Sequence, residues 1–360
     1  MVRYITKRLF YGVLVLFGVI TIVFILFNVL PADPARMMLG QRADSASVEA
    51  INRDLGRDKP LPVQYLNYLN DLSPISVHNV ADKNSFFYLD NTKYQPYKRL
   101  FNISSDKAIV LKSPYLRRSY QSKAKVSEIL MQAFPLTALL AVVSILFAAI
   151  VGIITGIICA IKKDSWFDRL AMFFSVIGMS VPSFFAAILI AWLFAFVLGE
   201  FTGLNMIGSL YTIDDFGEGI RLDLKNIILP AFTLGIRPLA VIIELTRSSM
   251  LEVLSQDYIR TAKAKGLSFF MVIKRHALKN VMNPVVTAIS GWFASLMAGA
   301  VFVEYVFDWK GMGMVMVDGL NKYDFPVVMG SLLFIAVILV IINILTDITY
   351  GLLDPRVRLN

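Results

Sequence analysis

Residues 134–161 read FPLTALLAVVSILFAAIVGIITGIICAI, 28 positions without an Asp, Glu, Lys or Arg. As an α-helix this run is about 42 Å long, more than the roughly 30 Å hydrocarbon core of a bilayer. A helix on the surface of a soluble domain would carry a polar stripe, and this one has none. It reads as a membrane span, and the rest of the chain repeats the pattern. Apolar segments lie at about 9–30, 134–161, 170–198, 226–246, 284–303 and 327–351. Of 360 residues, 57% are hydrophobic and 17% charged, against about 45–50% and 25% in soluble domains. The expected fold is an all-α membrane protein of about six transmembrane helices. A long external loop separates the first two.

The amino end, MVRYITKRLF, places Arg3, Lys7 and Arg8 before the first apolar run. That run exceeds the roughly 7–15 apolar residues of a cleavable leader, and no small-x-small site follows it, so it reads as a retained span. Basic side chains collect in alternate loops. Lys162, Lys163 and Arg169 lie between segments two and three, and Arg247, Arg260, Lys263, Lys265, Lys274, Arg275 and Lys279 between four and five. The 199–225 loop carries Glu200, Asp214, Asp215, Glu218 and Asp223, and the 304–326 loop carries Glu304, Asp308, Asp318 and Asp324. Retention of Lys and Arg on the inner side then puts both chain ends in the cytoplasm. The net charge of +9 is explained by that retention, without nucleic acid as a partner.

Three parts follow: a first helix over 1–30, an external segment over 31–133, and a core over 134–360 with a cytoplasmic loop at 247–283. In the external segment, SFFYLDNTKYQPYKRLF and AIVLKSPYL are rich in aromatic and β-branched residues between turn formers, which predicts short strands. Helix-disturbing residues recur in the core: Gly178 with Pro182, Pro230 with Gly235, and Pro238. Membranes tolerate such breaks where neighbours satisfy the freed backbone groups.

Catalytic signatures are absent: the sequence holds no GxxxxGK[ST] phosphate loop, no HExxH and no GxSxG. The single cysteine, Cys159, makes no internal disulfide, and with only His78 and His276 a structural metal site is not expected. Ionisable residues inside the apolar segments reduce to Arg237, Glu244 and Asp347, the last two near segment ends. Arg237 stands mid-segment before Pro238, placed either to meet an anionic group in a pathway or to bond a helix-end carbonyl. A self-sufficient carrier or channel, the alternative class, predicts inverted repeats and charged midplane residues, and Arg237 is its one candidate.

The densest signal is RSSMLEVLSQDYIRTAKAKGLSFFMVIKRHALKN, residues 247–280. Leu251, Leu254, Tyr258 and Ala262 recur at helical spacing, and a helix from about Ser255 to Lys265 is expected. Gly266 suits the left-handed position that closes a helix. Ser268 is placed to cap a second helix, with Leu267 and Val272 as a hydrophobic staple. Helix, tight turn and helix make a short rigid element, either a docking surface or a basic face lying on anionic lipid.

DYIRTAKAKGL, residues 257–267, resembles the EAA loop of permease subunits of bacterial ABC importers, in the form shown by the dipeptide/oligopeptide/nickel branch. The generic pattern falls on Arg260-Thr261-Ala262 and Gly266, with its glutamate and first alanine replaced. Further marks of the branch are RYITKRL (3–9), NVLPADPA (28–35), LGRDKPLPVQYL (55–66), ILPAFTLG (228–235), RHALKN (275–280) before Asn283-Pro284, VEYVFDWKGMG (303–313) and LLDPRVR (352–358). The similarity covers nearly the whole chain and departs at about 74–112, which reads as an insertion. The resemblance implies a type I ABC importer permease fold and a non-catalytic subunit of the bacterial inner membrane, forming half of a pathway for peptides. It further implies a second permease subunit, two ATPase subunits holding ATP and Mg, and an external solute-binding protein. Asp257, Tyr258, Arg260, Thr261, Ala262, Lys263, Ala264, Lys265 and Gly266 would form the contact with the ATPase, and Arg237 a pathway position.

Overall fold

The computed structural model describes residues 2–28, 59–82, 85, 87–94, 96–213 and 219–353. Most of NVLPADPA, the first four residues of LGRDKPLPVQYL, Asp214, Asp215, Glu218 and the DPRVRLN tail lie outside them. In chain order the main elements begin with α1 (Val2–Asn28) and α2 (Leu61–Leu72), followed by β1 (Ile75–Asn79), β2 (Tyr97–Asn102) and β3 (Lys107–Lys112). The long helix α3 (Val126–Ile161) leads to α4 (Trp166–Ser180) and α5 (Ser183–Ile190), which continues as a π-helical stretch, Ala191–Val197. A hairpin of β4 (Tyr211–Ile213) and β5 (Ile220–Leu222) precedes α6 (Ile228–Leu254) and α7 (Asp257–Ala264). The chain then forms α8 (Leu278–Gly299), α9 (Val301–Val306), α10 (Met312–Asn321) and α11 (Phe325–Leu353).

Among the described residues, four uninterrupted helices are long and apolar enough to cross a membrane: Thr6–Asn28, Val126–Ile161, Leu224–Leu254 and Phe325–Ile348. The segment expected as one span at 170–198 is instead broken. Its halves α4 and α5 meet at 113°, because Pro182 at the start of α5 takes an extended conformation, φ −59° and ψ 137°, and cannot continue α4. The fifth segment differs too. Helix α8 has the length to span, with 22 residues, but its first turns carry Lys279, Asn280 and Asn283, so it falls outside the most apolar set. The chain is also not purely helical, since β1, β3 and β2 form a three-stranded antiparallel sheet in that order.

The chain divides into two compact units, residues 12–132 with 315–336, and residues 1–11, 133–314 and 337–360. In the first, Val23 and Phe24 of α1, Tyr68 of α2, and Met329 and Leu333 of α11 form a buried cluster. Asp324 ties the chain before α3 to the start of α11, accepting from the Ser119 hydroxyl and from the amides of Tyr120 and Gln121. Strands β2 and β3 fall in the expected aromatic runs, paired for example at Arg99↔Val110, while β1, paired at Val77↔Ile109, lies outside both runs. Its buried polar groups are matched: Lys112 Nζ donates to the Asp71 carbonyl at 2.6 Å, and the Tyr94 hydroxyl donates to the Asp71 carboxylate at 2.6 Å. Burial holds His78 near pKa 4, with Lys112 adding to the effect.

In the second unit, α3 and α6 pack at a close crossing. Small residues allow such an approach where lipid supplies no hydrophobic drive between helices. Gly152 and Gly156 face α6, and a Cβ on Gly156 would stand 2.6 Å from Thr246 Cβ and 2.8 Å from the Ile243 carbonyl oxygen. Replacing Gly156 with leucine forces the helices apart, and overpacking of this kind costs about 1–3 kcal/mol or more. The expected outcome for Gly156→Leu is a lower thermal unfolding midpoint in detergent, with no drop for Gly18→Leu, whose Cβ would meet nothing within 4 Å.

Candidate functional site

The basic loop is a built element. Helix α6 ends at Leu254, Ser255 and Gln256 turn the chain, and α7 restarts at Asp257. The expected helix from Ser255 is thus two residues shorter at its start and ends at Ala264. The break also shifts the helical phase: Ile259 is fully buried where the 251–262 stripe placed Tyr258, which is 41% exposed. Ile259 and Ala262 set α7 into a socket of Met250, Val272, Ile273, Ala277 and Val281. Tyr258 adds a polar tie, its hydroxyl accepting from Asn280 Nδ2 at 2.7 Å.

Closure follows the glycine reading. Gly266 has φ +78°, a region open to glycine and strained for other residues. Its amide donates to the Lys263 carbonyl at 3.0 Å and that of Leu267 to the Ala262 carbonyl at 3.4 Å, the paired bonds of a Schellman motif. Ser268 then caps the next helical turn, accepting from the Met271 amide at 3.4 Å. Of the expected staple, Val272 is buried but Leu267 is 37% exposed.

What remains outside is a face of one kind. Asp257, Arg260, Thr261, Lys263, Ala264, Lys265 and Gly266 are all exposed, as are Phe269 and Phe270 beyond the turn. The Arg260–Asp257 pair at 3.4 Å has both side chains mostly in solvent, so it contributes little. Lys263 Nζ lies 5.9 Å from the Phe269 ring centre. Three exposed cations, Arg260, Lys263 and Lys265, form a patch beside exposed aromatics, with Ala262 anchored inward and Ala264 outward.

Arg237 lies apart from this loop. It lines a cavity of about 290 Å³ between α4, α5, α6 and α8, and its Nη2 is 3.5 Å from the Met179 carbonyl oxygen at the end of α4. The contact to Met179 matches the reading of Arg237 as a bond to a helix-end carbonyl.

Sequence reasoning missed a buried carboxylate. Glu304, counted above with the acidic outer loop, is fully buried in α9. It accepts from Thr137 Oγ1 at 2.7 Å and from the Gly313 amide at 2.7 Å. Thr137 Oγ1 in turn accepts from the Met312 amide at 2.8 Å. A Cβ on Gly311 would lie 2.5 Å from this carboxylate, so the available signal was the GMG at 311–313 following an acid. Likewise Arg247, counted as a loop cation, forms a two-pronged ion pair with buried Asp168 at 2.6 and 2.7 Å. Asp347 pairs with Arg8 at 3.0 Å.

The family described as binding-protein-dependent transport system inner membrane component matches residues 152–359, and its N-terminal companion matches residues 1–83. The chain belongs to this family. It is a multi-pass inner membrane protein of that kind. Its similarity to curated proteins runs end to end. The di/tripeptide transport system permease protein DppB of Pseudomonas aeruginosa is 35% identical over 99% of each chain. The dipeptide transport system permease protein DppB of Escherichia coli is 34% identical, also over 99% of each. Among solved structures, the inward-facing MetNI methionine ABC transporter is similar at 15% identity and TM-score 0.49, over 63% of this chain and 97% of that one.

The Glu304 knot yields a stability test. Glu304→Ala leaves Thr137 and the Gly313 amide without an acceptor, a loss of about 1–3 kcal/mol for an unsatisfied buried polar group. Thermal unfolding of the purified chain is expected to shift well below wild type, with Glu304→Gln falling between the two.

Proposed function

We propose that this chain is one of two transmembrane subunits of an ATP-driven ABC importer for di- or oligopeptides, and that α7 and its Gly266 turn form the contact with an ATPase subunit. The observation that carries the reading is the division of α7 into two faces. Ile259 and Ala262 are locked into the chain's own helices, while Arg260, Lys263 and Lys265 are exposed at a rigid, glycine-closed corner. A helix meant only to lie on lipid has no need of a socket tying it to both α6 and α8. The names of the relatives supply the peptide class.

On this reading, ATP and Mg belong to two partner ATPase subunits, and hydrolysis happens there, with no catalytic group in this chain. A second permease subunit completes the pathway, and an external solute-binding protein delivers the peptide. Both chain ends lie in the cytoplasm, where the basic loops also fall. When the ATPases close on nucleotide, displacement of α7 passes through Ile259 and Ala262 into α6 and α8 as a rigid-body movement. The exposed cations suit acidic groups on the ATPase surface, and Ala264 leaves room for close approach.

Replacing Gly266 with proline removes the amide bond to Lys263 and forbids the positive φ. Gly266→Pro is expected to insert at wild-type levels yet to lose ATP-driven dipeptide uptake by about tenfold or more, the cost of misplacing a mechanical contact rather than of unfolding. Uptake at the wild-type rate in proteoliposomes containing the co-purified partners would overturn the assignment.

A further inference from the structure

The cavity beside Arg237 has mostly apolar walls. Gly178, Leu234, Trp292 and Leu296 contribute apolar surface, and Ser183, Thr233, Ser295 and Arg237 are its polar lining. Arg237 is the single charged residue among those lining it, and it makes no ion pair with any described residue. Its one hydrogen bond, to the Met179 carbonyl, is long at 3.5 Å. A guanidinium carries five N–H donors in a fixed fork, so most of this donor set is unspent. Holding an arginine mid-helix in a membrane is costly, and such residues face cavities or partners they serve.

The helix break brings a second source of positive potential to the same cavity. Because α4 and α5 meet at 113°, α5 begins at the cavity wall with Ser183. Its preceding residue, Pro182, offers no side-chain cap, so the first-turn amides of Ser183, Phe184 and Phe185 have no capping side chain. Free amides at a helix start favour an anion, and interrupted membrane helices use this arrangement toward anionic substrate groups. At about 290 Å³ the cavity is at the lower edge of small-ligand pockets, which run from roughly 300 to 1,000 Å³. That volume suits the terminal part of a short peptide.

We infer that this cavity is a way-station for the substrate's terminal carboxylate: Arg237 takes the two oxygens with its fork, Ser183 at the start of α5 adds a hydrogen bond, and Trp292 covers the adjoining side chain. The inference rests on the peptide-importer reading and adds to it the group that the membrane subunit itself recognises. A planar carboxylate matches the fork in two-pronged geometry, which lysine cannot reproduce.

The test uses the chain co-purified with its membrane and ATPase partners in nanodiscs, without solute-binding protein, reading tryptophan emission as dialanine or dialanine amide is added. Saturable quenching by dialanine is expected, lost in Trp292→Phe. The amide should bind about tenfold more weakly, the size of one charge-assisted contact. Arg237→Gln should weaken dialanine binding by the same factor and erase the difference between dialanine and its amide. Arg237→Lys should fall between, which separates lost charge from lost fold. Equal affinity for dialanine and amide in the wild type, unchanged affinity in Arg237→Gln, quenching that survives Trp292→Phe, or no saturable quenching overturns the inference. ATP-driven dialanine uptake by the same wild-type preparation, with binding protein added, keeps the two proposals distinct. If that uptake is present while Arg237 makes no difference, the carboxylate site alone fails. If it is absent, the importer reading fails.

Discussion

In hydrocarbon a backbone amide or carbonyl without a partner costs several kcal/mol, so a chain crossing it must be helical or must resolve every interruption locally. That constraint organises this molecule. Helices α3, α6 and α11 satisfy it by running unbroken, and α3, α6 and α8 keep Pro135, Pro238 and Pro284 within continuous helix. Where the chain does turn, it uses a small set of devices. Pro182 starts a new helix at a sharp angle, Ser268 caps one, and Gly266 closes one with two backbone bonds. The proposed functional positions sit at these interruptions. Continuous helices supply the frame, while the two breaks supply an exposed rigid corner and a cavity with free donors.

The treatment of buried charge follows the same logic. Glu304 is surrounded by a hydroxyl and an amide, Asp168 by the fork of Arg247, and Asp347 by Arg8. Removing Arg247 would leave Asp168 buried without its counter-charge, which costs more than the pair itself contributes. Against that background Arg237 stands out through its lack of an acidic partner among the described residues. The four cases differ in what is matched within the chain, and the unmatched one lies on a cavity.

Much of this was legible in the sequence, and the reasons for the rest are specific. Long runs of high hydropathy with few charges located α1, α3, α6 and α11, because hydrocarbon disfavours charge whatever the tertiary arrangement. The glycine at 266 and the serine at 268 were legible because left-handed closure and capping are local chemistry. The 113° bend was not, since Pro182 announces an interruption while the angle depends on what the two halves pack against. On α7 the expected stripe held at Ala262 but named Tyr258 where Ile259 is buried, because a two-residue turn at Ser255-Gln256 interrupts the helix. Glu304 was read as a solvated loop acid because its main side-chain partner, Thr137, lies far away in sequence. Two strands of the short sheet, β2 and β3, were expected from aromatic and β-branched runs, but the pairing of Lys112 and Tyr94 with Asp71 has no local signature.

The central claim is that the outer face of α7 touches a nucleotide-binding subunit. A photoreactive residue placed at Ala264, exposed and adjacent to the cations, would read this directly in native membranes, with adducts identified by mass spectrometry. The account predicts that the label attaches chiefly to an ATPase subunit and that attachment changes between nucleotide-free and ATP-bound conditions. Adducts to lipid alone, from a chain that remains inserted and active in transport, would contradict it.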